Sequence, residues 1–140
     1  MTKSQQPFFQ SFIIATGVVV IDLLSKYEAS RYGLVSLNTG ISFGLLGSKT
    51  EIVSSAILVA FAVLSVLAIR HFTKYQPRAI GLFIGGALGN MIDRFLYGGV
   101  RDWLPVPVLQ VKNNLADWAI FAAVLWLLYY EWSKKEPSLR

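Results

Sequence analysis

Four stretches of this chain are each long and apolar enough to cross a lipid bilayer as a helix, and few folds can accommodate that. The stretches are Phe8–Ala29, Glu51–His71, Arg78–Gly98 and Asn113–Trp132, each close to the ~20 residues that a helix needs to span the hydrocarbon. Lipid offers no partner to a free backbone N–H or C=O, so each crossing segment has to satisfy its own backbone as a helix. The expected fold class is therefore an all-α membrane protein with four transmembrane helices, residues 1–140 forming one domain. A hydrophobic fraction of 54% supports this, being above what a soluble domain of this size carries. At the N-terminus, Lys3 precedes an apolar run from Pro7 to Ile21 without a small-residue cleavage site before a polar domain, which predicts a retained span.

Composition removes several function classes. With no cysteine there are no disulfides, thiol nucleophiles or thiolate metal sites, and a single histidine leaves little for a metal centre. The net charge of +5 is spread along the chain, which suits anionic lipid and argues against nucleic acid. The short turn 70–78 carries Arg70, Lys74 and Arg78, and the tail adds Lys134, Lys135 and Arg140. The positive-inside rule puts these segments, and with them both termini, in the cytoplasm. Ser30–Thr50, on the other side, has too few apolar residues to span and many turn signals, and is expected to form a small extracytoplasmic β-like cradle.

The placement of the aspartates carries more information than the spans themselves. Alternating direction brings Asp22, late in the first span, to the same side as Asp93, late in the third, and Asp117, early in the fourth. Each lies five or so residues from a helix end, roughly 6–8 Å in depth. Asp102 joins them in the outer loop Gly99–Lys112, where Pro105 and Pro107 oppose a continuing helix. All the aspartates thus gather near one surface, while Glu28, Glu51, Glu131 and Glu136 sit at span edges or in the tail. An ionisable side chain inside a membrane is costly unless it meets a partner or water, and so marks a functional site.

Helical spacing separates these aspartates into two kinds. Asp22 and Lys26 form an i, i+4 pair, and Asn90, Asp93 and Arg94 share a helix face, so Asp22/Lys26 and Asp93/Arg94 are expected as scaffold ion pairs. Asp102 and Asp117 have no basic residue at such spacing. Two unpaired carboxylates facing one cavity cannot both ionise cheaply; they share a proton and divide the roles of acid and base. One can then take a proton from water while the other protonates a carbonyl oxygen. A blander reading makes Asn114 the cap of the fourth helix and Asp117 its complement at the helix N-terminus. Gly81, Gly85, Gly86 and Gly89 give the third span the small-residue spacing of close helix packing.

Motifs in order along the chain resemble those of one family, lipoprotein signal peptidase (signal peptidase II). Asp22-Leu23-Leu24-Ser25-Lys26 is similar to its Asp-x-x-Ser/Thr-Lys, and the stretch from Asn38 to Gly44 to its Asn-x-Gly-x-x-Phe/Trp-Gly. The most specific matches are Gly85 to Arg94, against Gly-Gly-x-x-Gly-Asn-x-x-Asp-Arg, and Asn114-Leu115-Ala116-Asp117, against Asn-Leu/Ile-Ala-Asp. The resemblance implies an intramembrane aspartic endopeptidase that removes the signal peptide from prolipoproteins before a diacylglyceryl-modified cysteine, without metal or cofactor. Its catalytic dyad falls on Asp102 and Asp117. Asn38, Gly40, Asn90, Arg94 and Asn114 would hold substrate or orient the dyad, with Asp22, Lys26 and Asp93 in support. The implied partners are diacylglyceryl-modified prolipoproteins and membrane lipids. A monomer is expected in the bacterial cytoplasmic membrane, with its active site near the outer leaflet.

The chain departs from the family pattern at Arg101, where an apolar residue is usual, at Asn113, where Phe is usual, and in the short segment Tyr27–Leu37. Arg101 could stabilise an ionised Asp102 or reach a lipid phosphate. These departures leave room for a second reading, a non-catalytic membrane binding or assembly paralogue. A proton-coupled transporter fits less well, because its carboxylates would be spread through the membrane depth.

Overall fold

The structure, a computed structural model, describes residues 5–39, 66–67, 70–74, 76–107 and 111–135. Among these, helix α1 covers Gln6–Arg31, α2 Pro77–Tyr97 and α3 Leu115–Lys135, with four short strands around the ends of the helices: β1 Ser36–Asn38, β2 Val100–Asp102, β3 Leu104–Val106 and β4 Val111–Asn113. All three helices are long and apolar enough to cross a membrane. The expected span Glu51–His71 lies outside the described residues except for Val66, Leu67, Arg70 and His71, which are helical.

Each helix begins and ends for local reasons. Proline opens both α1 and α2, where its missing N–H costs nothing. Gly98 closes α2 in the left-handed region at φ 71°, its N–H returning to the Arg94 carbonyl. That turn reverses the chain directly into β2. The fourth expected span starts later than Asn113, because Asn113 is taken by β4 and Asn114 caps α3, its Oδ1 accepting the Asp117 backbone N–H at 2.9 Å.

Helix α1 buries small and polar residues and presents many of its large apolar ones outward. On α1 the buried positions are Ser11, Ala15, Asp22, Lys26 and Ala29, at spacings of three, four and seven that trace one stripe. Phe8, Phe12, Val20, Ile21 and Leu24 are exposed. In lipid this inversion is expected, since the solvent is itself apolar and helices associate through close packing and polar contacts. The central helix is α2, packed along both α1 and α3. Its glycines make that possible: a Cβ on Gly86 would come within 2.5 Å of the Ala116 carbonyl oxygen, and one on Gly85 within 2.7 Å of the Ala15 carbonyl oxygen.

The strands form two antiparallel pairs. β1 pairs β2 in the register Ser36↔Asp102, Leu37↔Arg101 and Asn38↔Val100. β3 pairs β4 from Leu104↔Asn113 to Val106↔Val111. The expected β-like cradle is thus present in part, and it includes residues of the outer loop 99–112. Residues 40–50 of the expected cradle, Gly40 among them, lie outside the described residues.

Candidate active site

The end of the bundle where α1 finishes, α2 turns into β2 and α3 begins collects every aspartate of the chain. Asp102 ends β2 and is 2% exposed. Asp117 stands in the first turn of α3. A single side-chain amide joins them: Asn114 Nδ2 donates to Asp102 Oδ1 at 2.6 Å and to Asp117 Oδ2 at 3.2 Å. The cap expected at Asn114 is present, and the same residue also joins the two carboxylates. Asn114 uses its oxygen to start the helix and its nitrogen to hold the two acids together.

The remaining carboxylate oxygens are also met by amides. Asn38 Nδ2 donates to Asp102 Oδ2 at 2.9 Å, a diagonal contact across the β1–β2 pair, since Asn38 lies opposite Val100. Asn90 Nδ2 donates to Asp117 Oδ1 at 2.7 Å. Neutral donors orient a carboxylate without cancelling its charge as a cation would. Beside Asp102 a cavity of about 350 Å³ opens between β1 and β4, lined by Ser36, Leu37, Asn38, Thr39, Val111 and Lys112.

Beneath the pair lies a fully buried charge cluster. Lys26 Nζ meets Asp22 Oδ2 at 2.7 Å and Asp93 Oδ2 at 3.3 Å, and donates to Asn90 Oδ1 at 3.0 Å. An ammonium can only donate, so this contact fixes the Asn90 amide with its oxygen toward Lys26 and its NH2 toward Asp117. Asp22 reaches the other way: its Oδ1 accepts the Ala116 backbone N–H at 2.9 Å, tying α1 to the first turn of α3. Asp22 stands nine residues from the end of α1, deeper than the five or so expected.

Two further expectations are corrected here. Asp93 does not pair with Arg94, because adjacent residues on a helix point in different directions. Asp93 is held by Lys26 and Arg101, while Arg94 is half-buried and its Nη1 donates to the Asn90 carbonyl at 3.4 Å. Nor is the Arg101 guanidinium turned on Asp102: its Nη2 and Nε lie 2.7 and 3.2 Å from Asp93 Oδ1. Sequence spacing also gave no sign that Lys26 bridges Asp22, Asp93 and Asn90, since those contacts link different helices. Of the expected site residues, Asn38, Asn90, Asn114, Asp102 and Asp117 form one connected group. Asp22, Lys26 and Asp93 lie directly beneath it, and Gly40 is outside the described residues.

Residues 14–133 match the family model described as signal peptidase (SPase) II. A lipoprotein signal peptidase of Moorella thermoacetica is 36% identical, the match covering 84% of this chain and 89% of that protein. One of Nitrobacter hamburgensis is 38% identical, over 88% of this chain and 92% of that protein. Among solved structures, a bacterial membrane enzyme superposes with a TM-score of 0.72 at 23% identity, covering 89% of this chain and 88% of that one, and shares the fold. A family match over most of the chain, together with relatives well above 30% identity along nearly their whole length, means that this chain belongs to the signal peptidase II family.

Proposed function

We propose that this protein is an aspartic endopeptidase of the bacterial cytoplasmic membrane that removes the signal peptide from prolipoproteins ahead of a diacylglyceryl-modified cysteine, with Asp102 and Asp117 as its catalytic dyad. The observation that carries the reading is the Asn114 amide, which donates to both carboxylates at once. Side chains from a strand and a helix converge there, beside a cavity that reaches Asp102.

In the proposed reaction one carboxylate takes a proton from water and directs the hydroxide equivalent at the scissile carbonyl, while its protonated partner donates to the carbonyl oxygen. The tetrahedral intermediate collapses as a proton passes to the leaving amine. Asn38, Asn90 and Asn114 keep the dyad aligned, and Gly40 and Arg94 are assigned to the substrate backbone. Asp22, Lys26 and Asp93 support the site from below. The dyad stands where the helices give way to strands, the level at which a cysteine bearing a membrane-anchored diacylglyceryl group would be presented. The enzyme works as a monomer spanning the membrane four times, its site near the outer leaflet. The non-catalytic reading leaned on Arg101 disturbing the pair and on the shortened outer segment, and the engagement of Arg101 with Asp93 removes the first of these arguments.

The test is cleavage of a diacylglyceryl-modified prolipoprotein by purified protein in detergent, wild type beside Asp102→Asn and Asp117→Asn. Each variant should remain folded and lose roughly 10²–10⁴-fold or more of the rate. Full activity in either variant would overturn the dyad; no cleavage by folded wild type would overturn the peptidase.

A further inference from the structure

Arg101, one of the residues at which the chain departs from the family pattern, makes three directed contacts to Asp93 beneath the dyad. Arg101 grips Asp93 by both its backbone and its side chain. The Arg101 N–H donates to Asp93 Oδ2 at 2.9 Å, and its Nη2 and Nε reach Oδ1 at 2.7 and 3.2 Å. The guanidinium lies 4.2 Å from the centre of the Tyr97 ring, an aromatic face that attracts a cation. Asp93 is fully buried and the Arg101 side chain only 11% exposed, so water does little to weaken the pair.

We propose that Arg101 is a positioning residue for the dyad, clamping strand β2 to α2 through Asp93 so that Asp102 is held against the Asn114 amide. This rests on the dyad reading above. β2 is three residues long and pairs with a strand of three residues, so its ladder alone holds it weakly. Its successive side chains alternate in direction, which lets Arg101 turn to α2 while its neighbour Asp102 faces Asn38 and Asn114. The clamp acts on the other carboxylate as well. With Arg101 present, two buried carboxylates, Asp22 and Asp93, face two cations, Lys26 and Arg101. Without Arg101, Lys26 alone would have to serve both acids and would be drawn away from Asn90, whose amide orients Asp117. One arginine thus reaches both halves of the dyad without touching either.

Misplacing a catalytic group slows the chemical step more than it weakens substrate binding. Arg101→Met should lower kcat about 10–100-fold per folded molecule, with KM changed by no more than about twofold. Arg101→Lys keeps the charge but loses the planar fork, and should recover part of that loss. Hydrogen–deuterium exchange of the 100–102 amides in detergent should be faster in Arg101→Met than in wild type, because the Arg101 N–H is itself one arm of the clamp. A wild-type kcat in folded Arg101→Met, or unchanged exchange at these amides, would overturn the proposal. Wild-type turnover in the same assay is the control for the peptidase reading: its absence would overturn that reading, and exchange at 100–102 would then decide the clamp alone.

Discussion

Asn114 illustrates how much one short side chain can do at a helix start. Its oxygen caps α3 and its nitrogen meets both carboxylates, so replacing it should affect stability and rate separately. Asn114→Ala should cost about 1 kcal/mol through the lost cap, read as a lower melting temperature, and about 100-fold in kcat through the released acids. Lys26 is the opposite case, a fully buried cation whose partners are two buried carboxylates. Lys26→Met would leave Asp22 without its cation, while Asp93 keeps Arg101, in a medium that cannot hydrate the bare charge, a loss of about 3–5 kcal/mol, and should appear as failed insertion or low yield. Asp22→Asn should be milder, because Lys26 keeps Asp93. Its thermal stability falls while the folded fraction still turns over; abolished turnover at normal yield would place the catalytic pair elsewhere.

At the scale of elements, α2 is the spine, and its glycines set how closely α1 and α3 approach. The 2.5 Å separation between a Cβ at Gly86 and the Ala116 carbonyl leaves no room for a side chain, and the atom that would have to move is backbone. Gly86→Val should therefore push α3 outward, at a cost of about 1–3 kcal/mol. Because Ala116 and Asp117 are neighbours in α3, it should also slow cleavage by displacing Asp117 from Asn90. A thermal melt and an activity assay on the same preparation check both; an unchanged melt would show that the helices can separate freely. The turn at Gly98 matters in a different way. It carries the chain from α2 back over its own last turn, so that Arg101 meets Asp93, eight residues earlier in sequence.

At the scale of the whole molecule, sidedness is the property to test. The proposed orientation sets the dyad on the outer side and the basic C-terminal end of α3 in the cytoplasm. The absence of native cysteine makes this directly testable. A single cysteine replacing the exposed Tyr32 at the end of α1 should react with a membrane-impermeant maleimide in intact cells. One replacing Lys134 should react only after the membrane is opened. The reverse pattern would invert the topology.

Much of this protein is dictated by sequence alone. Long apolar runs admit only helices in lipid, and the expected alternation of span direction gathers the aspartates on one side whatever the packing. The convergence of Asp102 and Asp117 could be expected for the same reason, as could the i, i+4 pair of Asp22 and Lys26. Only the tertiary structure decided the partners. Spacing along one helix suggested Arg94 for Asp93, but a fully buried carboxylate takes whatever donors its neighbouring elements bring, here Lys26 from α1 and Arg101 from β2. The choice of Asn114 as the amide common to both acids, and of Lys26 to fix Asn90, likewise depends on how α1, β2 and α3 meet around α2. The order of residues governs local spacing and sidedness; contacts between elements depend on packing distances that no single segment encodes.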